Sequence, residues 1–197
     1  MSQSFIVLGN LILMAVFVTY FNQVRRGLSV PNPSTWLLWT VVGVMNAASY
    51  FLVVHGNLWQ SAYVLLSTVG LIVICVYAVV RGKFGRIGWT EIVCLALAVV
   101  VGVLWKATSD AVVANLSLQL IFIISFVPTV SGLLKRTLKE KALPWAMGVT
   151  SYICTVVGIL TSVSFDLTAL AYPVINGIVG NGTVLVVILL TGRRSEV

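Results

Sequence analysis

The side chains of this sequence that are placed to do chemistry are uncharged. Asn46, Ser49 and Tyr50 lie inside one long apolar run, Tyr63, Ser67 and Thr68 in the next, and Asn115 and Gln119 in a later one. Tyr152 and Thr155 follow, then Tyr172, Asn176, Asn181 and Thr183. An amide left without a partner in hydrocarbon costs several kcal/mol, so these groups must face one another or a wet cavity. Their chemistry is the hydrogen bonding of hydroxyls or amides, not the transfer of protons. Two roles stay open. A single Ser or Thr more often ties helices together. Asn176 and Asn46 are equally candidates for contact with a solute, because an amide brings two donors and an acceptor that packing alone seldom needs.

The residues that are missing narrow the choice further. Glu91, Asp110 and Asp166 fall at the ends of apolar runs, so none of these carboxylates is predicted near a helix centre, where it would cost about 2.5 to 3.5 kcal/mol and mark a proton relay or ion site. His55 is the only histidine, with no carboxylate or cysteine beside it, and reads as a turn residue. Cys75, Cys94 and Cys154 are widely spaced, which fits apolar packing rather than a disulfide framework or a metal motif. No nucleophile and base pair is visible, and the last run has no lysine for a retinal Schiff base. An enzyme, a metal site and a cofactor are therefore not expected, and passive facilitation is expected over proton coupling.

The elements that must position these groups follow from composition. Of 197 residues, 59% are hydrophobic and 9% charged, against about 25% charged in a soluble domain. The mean hydropathy of +1.08 points the same way. A soluble core of this size could not hide so much apolar surface, which predicts an all-α integral membrane protein. The net charge of +7 does not imply nucleic acid, since the basic residues sit in short loops between apolar runs. The N-terminal stretch shows neither a basic n-region nor a cleavage site, so its first span is expected to remain.

Seven spans are predicted, at about 5–23, 35–54, 58–80, 89–105, 111–134, 144–162 and 167–191. With seven, Arg25, Arg26, Arg81, Lys83, Arg86, Lys135, Arg136, Lys139, Lys141, Arg193 and Arg194 all fall on one face, and Lys106 alone lies opposite. By the positive-inside rule the N-terminus is then outside and the C-terminus cytoplasmic, in a plasma or inner membrane. The spans before and after the fourth also resemble each other at an offset of about 109 or 110 residues. Trp36 matches Trp145, and the ending Val80-Arg-Gly-Lys83 matches Leu190-Thr-Gly-Arg193. The expected architecture is two parallel three-helix bundles, 1–86 and 111–197, joined by an inverting fourth helix within 87–110. Parallel repeats place a substrate site at their interface near the midplane. Pro128 inside the fifth span, Pro144 at the start of the sixth and Pro173 in the seventh each free a carbonyl and are the hinge candidates, Pro128 foremost.

This arrangement resembles the SWEET and PQ-loop class of small transporters across nearly the whole chain. The stretch Asp166-Leu-Thr-Ala-Leu-Ala-Tyr-Pro-Val-Ile-Asn-Gly-Ile-Val-Gly180 is similar to that class's seventh helix. The resemblance implies that Asn176 binds substrate with Ser67 as its repeat partner, that Asn46 and Tyr50 form the second-helix pair, and that Thr155 and Ile159 match them in the sixth. Tyr152 and Tyr172 are expected to line the same cavity. The Pro-Gln signature is only half present, as Asn22-Gln23 and again at Pro128-Thr129. The expected function is alternating-access transport of a small uncharged polar solute such as a sugar. The partners are that solute and the lipid bilayer, and a homo-oligomer is compatible with the reading. The alternatives are a Pnu-type vitamin-precursor transporter of the same architecture and a non-transporting membrane receptor or scaffold.

Overall fold

The computed structural model describes residues 2–81, 88–162 and 167–193. Lys83, Arg86, Asp166 and Arg194 lie outside the described residues. The helices are α1 (Ser2–Arg25), α2 (Pro33–Val53), α3 (Leu58–Val80), α4 (Trp89–Thr108), α5 (Ala111–Ser125), α6 (Val127–Leu134), α7 (Ala142–Leu160) and α8 (Asn181–Arg193). A 3-10 turn (Leu167–Leu170) and a π segment (Pro173–Gly180) precede α8. Among the described residues these elements make seven helical stretches long and apolar enough to cross a membrane, α5 with α6 forming the fifth and Leu167–Gly192 the seventh. Leu11, Val18, Val76, Val103, Leu120 and Leu190 are among the many large apolar side chains on the outer surface. In water such a surface would aggregate, and in hydrocarbon it is matched to its solvent.

Short polar side chains set where the helices begin. Asn57 accepts from the backbone N–H groups of Trp59 and Gln60 at 3.0 and 3.2 Å, and Asp110 accepts from that of Val113 at 3.0 Å. Asn32 accepts from the N–H of Ser34 at 3.1 Å, and Pro33 takes the first-turn place where its missing donor costs nothing. Between α2 and α3, His55 and Gly56 adopt left-handed backbone, the turn expected of them.

Two departures from regular helix matter for the site. The fifth span breaks at Phe126, two residues before Pro128, which cannot donate to the carbonyl of Ile124. The seventh span is interrupted by the π segment, in which both the backbone N–H of Asn181 and its side-chain Nδ2 donate to the carbonyl of Asn176. Pro144 sits in the first turn of α7, where a proline is tolerated.

The packing is regular in a way that follows chain order. α3 lies against both α1 and α2, and the seventh span lies against both α7 and the fifth span. Between these groups, α1 packs on α7 and α2 on α5. α4 rests on α5 and α2 through Cys94 and Ala98, with Trp89, Val99 and Val103 outward.

The loops after α1 and α6 fold alike, bond for bond. The N–H groups of Arg26, Gly27 and Leu28 donate to the carbonyls of Asn22, Val24 and Gln23, and those of Lys135, Arg136 and Thr137 donate to Ser131, Leu133 and Gly132. Gly27 and Arg136 occupy the same left-handed turn position, with φ of 69° and 57°. These bonds align Asn22-Gln23 with Ser131-Gly132 instead of Pro128-Thr129. The two loops meet in an antiparallel bridge, the N–H of Val30 donating to the carbonyl of Lys139 at 2.7 Å. The same offset relates Val30 to Lys139, Tyr63 to Tyr172 and Ser67 to Asn176. Deeper in the third helix of each set, Gly70 against the ring of Phe17 is matched by Gly180 against that of Phe126. Gly70 and Gly180 are one residue further apart than Ser67 and Asn176. The π segment between Asn176 and Gly180 absorbs that extra residue, as a one-residue insertion into a helix does.

Candidate functional site

A cavity of about 70 Å³ lies at the centre of the helices, room for about five water molecules. Six of the seven spans line it and α4 does not: Phe17, Trp39, Ser67, Phe126, Tyr152 and Asn176 each come from a different one. Half of its lining residues are aromatic. Toward the face of the bridged loops, Tyr20 stacks on Trp36 with ring centroids 4.9 Å apart and meets the edge of Trp145 at 6.4 Å. Trp39 packs on Trp36 at 5.3 Å and on Phe126 at 5.1 Å, and its Nε1–H donates to Ser125 Oγ at 2.8 Å. That bond ties α2 to the point where the fifth span breaks.

At the other end the cavity is stopped by hydroxyls. Ser67 Oγ lies 3.3 Å from the Tyr152 hydroxyl and 3.1 Å from that of Tyr172, and the two tyrosine hydroxyls are 3.3 Å apart. Behind them Tyr63 stacks on Tyr172 at 5.9 Å and meets Tyr50 edge-on at 5.4 Å. The Tyr50 hydroxyl donates to the carbonyl of Ala169 in the 3-10 turn at 3.1 Å. All four tyrosine rings are buried, so aromatic groups crowd both ends of the cavity.

The expected site residues therefore fall into three places. Asn176, Ser67 and Tyr152 line the cavity, as does the hinge candidate Pro144. Tyr172 and Tyr50 belong to the tyrosine plug behind them. Asn46 and Thr155 lie apart from Asn176. The Oδ1 of Asn46 accepts from Asn115 Nδ2 at 3.0 Å and Gln119 Nε2 at 2.8 Å, and Ser49 Oγ accepts from Asn115 at 3.1 Å, which binds α2 to α5. Thr155 donates to the carbonyl of Ser151 in its own helix and abuts Gly9 of α1, where Ser151 Oγ donates to the Gly9 carbonyl at 2.7 Å. Apart from the Thr155 bond within α7, these groups join neighbouring helices, as uncharged polar side chains in membrane spans commonly do. Pro128 marks the break at Phe126, and Pro173 opens the π segment that presents Asn176.

Several residues at the site were not singled out from sequence. Trp36 and Trp145 were legible as a repeated pair, but nothing in the linear pattern brings Tyr20 and Trp39 to them. Glu140 is the largest surprise, because its neighbours Lys139 and Lys141 make the segment read as a solvated basic loop. Instead the Tyr20 hydroxyl donates to Glu140 Oε1 at 2.7 Å, and Oε2 is buried without a hydrogen-bond partner. The Nε1–H of Trp145 lies near the carboxylate and is itself without a hydrogen bond. Loss of water around the carboxyl group outweighs the Tyr20, Trp145 and Ser29 contacts and pushes its pKa up from 4.5 to about 7.

This burial has a measurable consequence. Because the folded pKa is raised, the contribution of Glu140 is fully present below about pH 4.5 and is lost as pH rises through about 7. The shift corresponds to about 3 kcal/mol at most. Melting of the detergent-solubilised protein should therefore occur at a lower temperature at pH 8 than at pH 5, and Glu140→Gln should flatten that slope. An unchanged slope in the variant would show that other groups set it.

Comparison of the chain with protein-family models, curated proteins and solved structures finds no match in any of the three.

Proposed function

We propose that the chain is a membrane transporter for a small polar solute, working by alternating access between two parallel three-helix bundles, 1–86 and 111–197, with α4 as the inverting linker. The observation that carries this reading is the cavity, lined by the six spans assigned to the bundles and not by α4, with aromatic groups at each end and Asn176, Ser67 and Tyr152 within. The repeated loop bonds and the matched Phe17–Gly70 and Phe126–Gly180 contacts support a duplication. So does the pairing of α1 with α7 and α2 with α5, which a two-fold axis along the membrane normal would interchange. Pro128, Pro144 and Pro173 are the places where helix ends bend as the bundles rock, and the break at Phe126 makes Pro128 the foremost of them. The distribution of basic residues supports a plasma or inner membrane location with the N-terminus outside and the C-terminus cytoplasmic.

Reconstitution tests this directly. Liposomes carrying the protein should admit sugars, amides or vitamin precursors from a panel faster than protein-free liposomes do. A protein that passes neither the members of this panel nor an organic cation such as choline would be a receptor or scaffold, and the transport reading would fall.

A further inference from the structure

The transport reading leaves the charge of the solute open, and the cavity bears on it. Its end toward the bridged loops is built from the rings of Tyr20, Trp36, Trp39 and Trp145, all buried and in mutual contact. Ring faces carry the negative part of the aromatic quadrupole and attract cations, the more so when water is excluded. Among the described residues, no lysine, arginine or histidine lines the cavity. Behind Tyr20 stands Glu140, whose Oε2 has no hydrogen-bond partner. Glu140 is half-buried, but a carboxylate with one oxygen sealed from water and unbonded still calls for a neutralising charge.

On these grounds we propose that the cavity takes a small organic cation of the ammonium type, held over the four rings with Glu140 behind Tyr20 as its counter-charge. This rests on the transport reading and replaces the uncharged solute that the sequence implies. The groups facing Glu140 are Tyr20 from α1, Ser29 from the first loop and Trp145 from α7, while Arg136 and Lys139 share a surface groove with it. Among the described residues no cationic side chain offsets its loss of water, and a proton does so near neutral pH. The arriving cation takes over that role, and the proton leaves Glu140 for water at the loop face, one charge in and one out.

The test uses choline and its uncharged isostere 3,3-dimethylbutanol, titrated into the detergent-solubilised protein and read by tryptophan fluorescence. Choline should bind at least about tenfold more tightly than the isostere. Glu140→Gln should bring the two within about twofold, and should abolish the proton release that choline causes in weakly buffered wild type near pH 7. If that variant does not fold, Trp36→Leu replaces it, and should weaken choline by about tenfold while weakening the isostere less. Equal wild-type affinity for the two probes, binding of neither, or equal weakening of both by Trp36→Leu would each overturn the assignment. Liposome flux run alongside separates the two ideas. Flux of neutral solutes without a preference for choline sinks the cation assignment alone, and absence of both sinks transport with it.

Discussion

Asn176→Ala should insert, elute and melt like the wild type, yet pass solute about ten- to a hundredfold more slowly. The side chain is on the π segment, and the backbone there does not depend on it: the carbonyl of Asn176 is held by the N–H and Nδ2 of Asn181. Truncating the amide leaves that arrangement in place and removes a donor and an acceptor from a cavity whose other walls are largely rings and aliphatic side chains. In a site with little water, a hydrogen bond to solute is worth about 1 to 3 kcal/mol once its loss leaves the other partner unpaired, which sets the size of the effect. Asn46→Ala makes the contrast. Its Oδ1 bonds Asn115 and Gln119 between α2 and α5, so that variant should lose stability first and flux only as a result. Initial rates in liposomes, normalised to inserted protein, distinguish the two. Unchanged flux in Asn176→Ala would make that residue a packing element.

Gly177→Ala should be among the most damaging conservative changes in the chain. A methyl group at Gly177 would clash with Cγ of the Tyr152 ring, the root of that side chain, where no rotation of the far end gives relief. Tyr152 is also held by its hydroxyl, which meets Ser67 and Tyr172. Either the ring leaves the hydroxyl cluster or the seventh span moves off α7. Overpacking of this kind costs about 2 to 3 kcal/mol, and several degrees of melting temperature at this chain length. Flux should fall as well, since Tyr152 is a wall of the cavity. Gly182→Ala, a few residues along, is the control. A Cβ there finds only Val149, at 4.0 Å, and alanine suits a helix better than glycine, so stability should hold or rise slightly. If both variants melt alike, the close packing of Gly177 on Tyr152 does not matter to the fold.

Much of the fold could be read from the residues, for a physical reason: hydrocarbon forbids unpaired backbone, so apolar runs of sufficient length have few options. The seven spans came from length and hydropathy, and the match of Trp36 with Trp145 was visible in the offset. The candidate site was legible only in part. Asn176, Ser67 and Tyr152 do share a cavity, but Asn46 and Thr155 face neighbouring helices, because a residue's type fixes what it can bond and not which side of its helix meets which neighbour. Glu140 was hidden by its basic neighbours, since burial is set by the packing of distant elements. The π segment was hidden as well. A one-residue change in offset between Ser67–Asn176 and Gly70–Gly180 is too small a signal to place without the contacts of Phe17 and Phe126.

The bridge between Val30 and Lys139 joins the two loops at the very seam along which the halves would part. Any widening on that side must first surrender one main-chain bond, worth about 1 kcal/mol, together with the clasp of Tyr20 on Glu140. The far side is stoppered by four interlocked phenol rings. In the proposed transport cycle such a molecule would have a light catch at one door and a heavy wedge at the other, and its resting bias toward one side of the membrane would be written in that inequality.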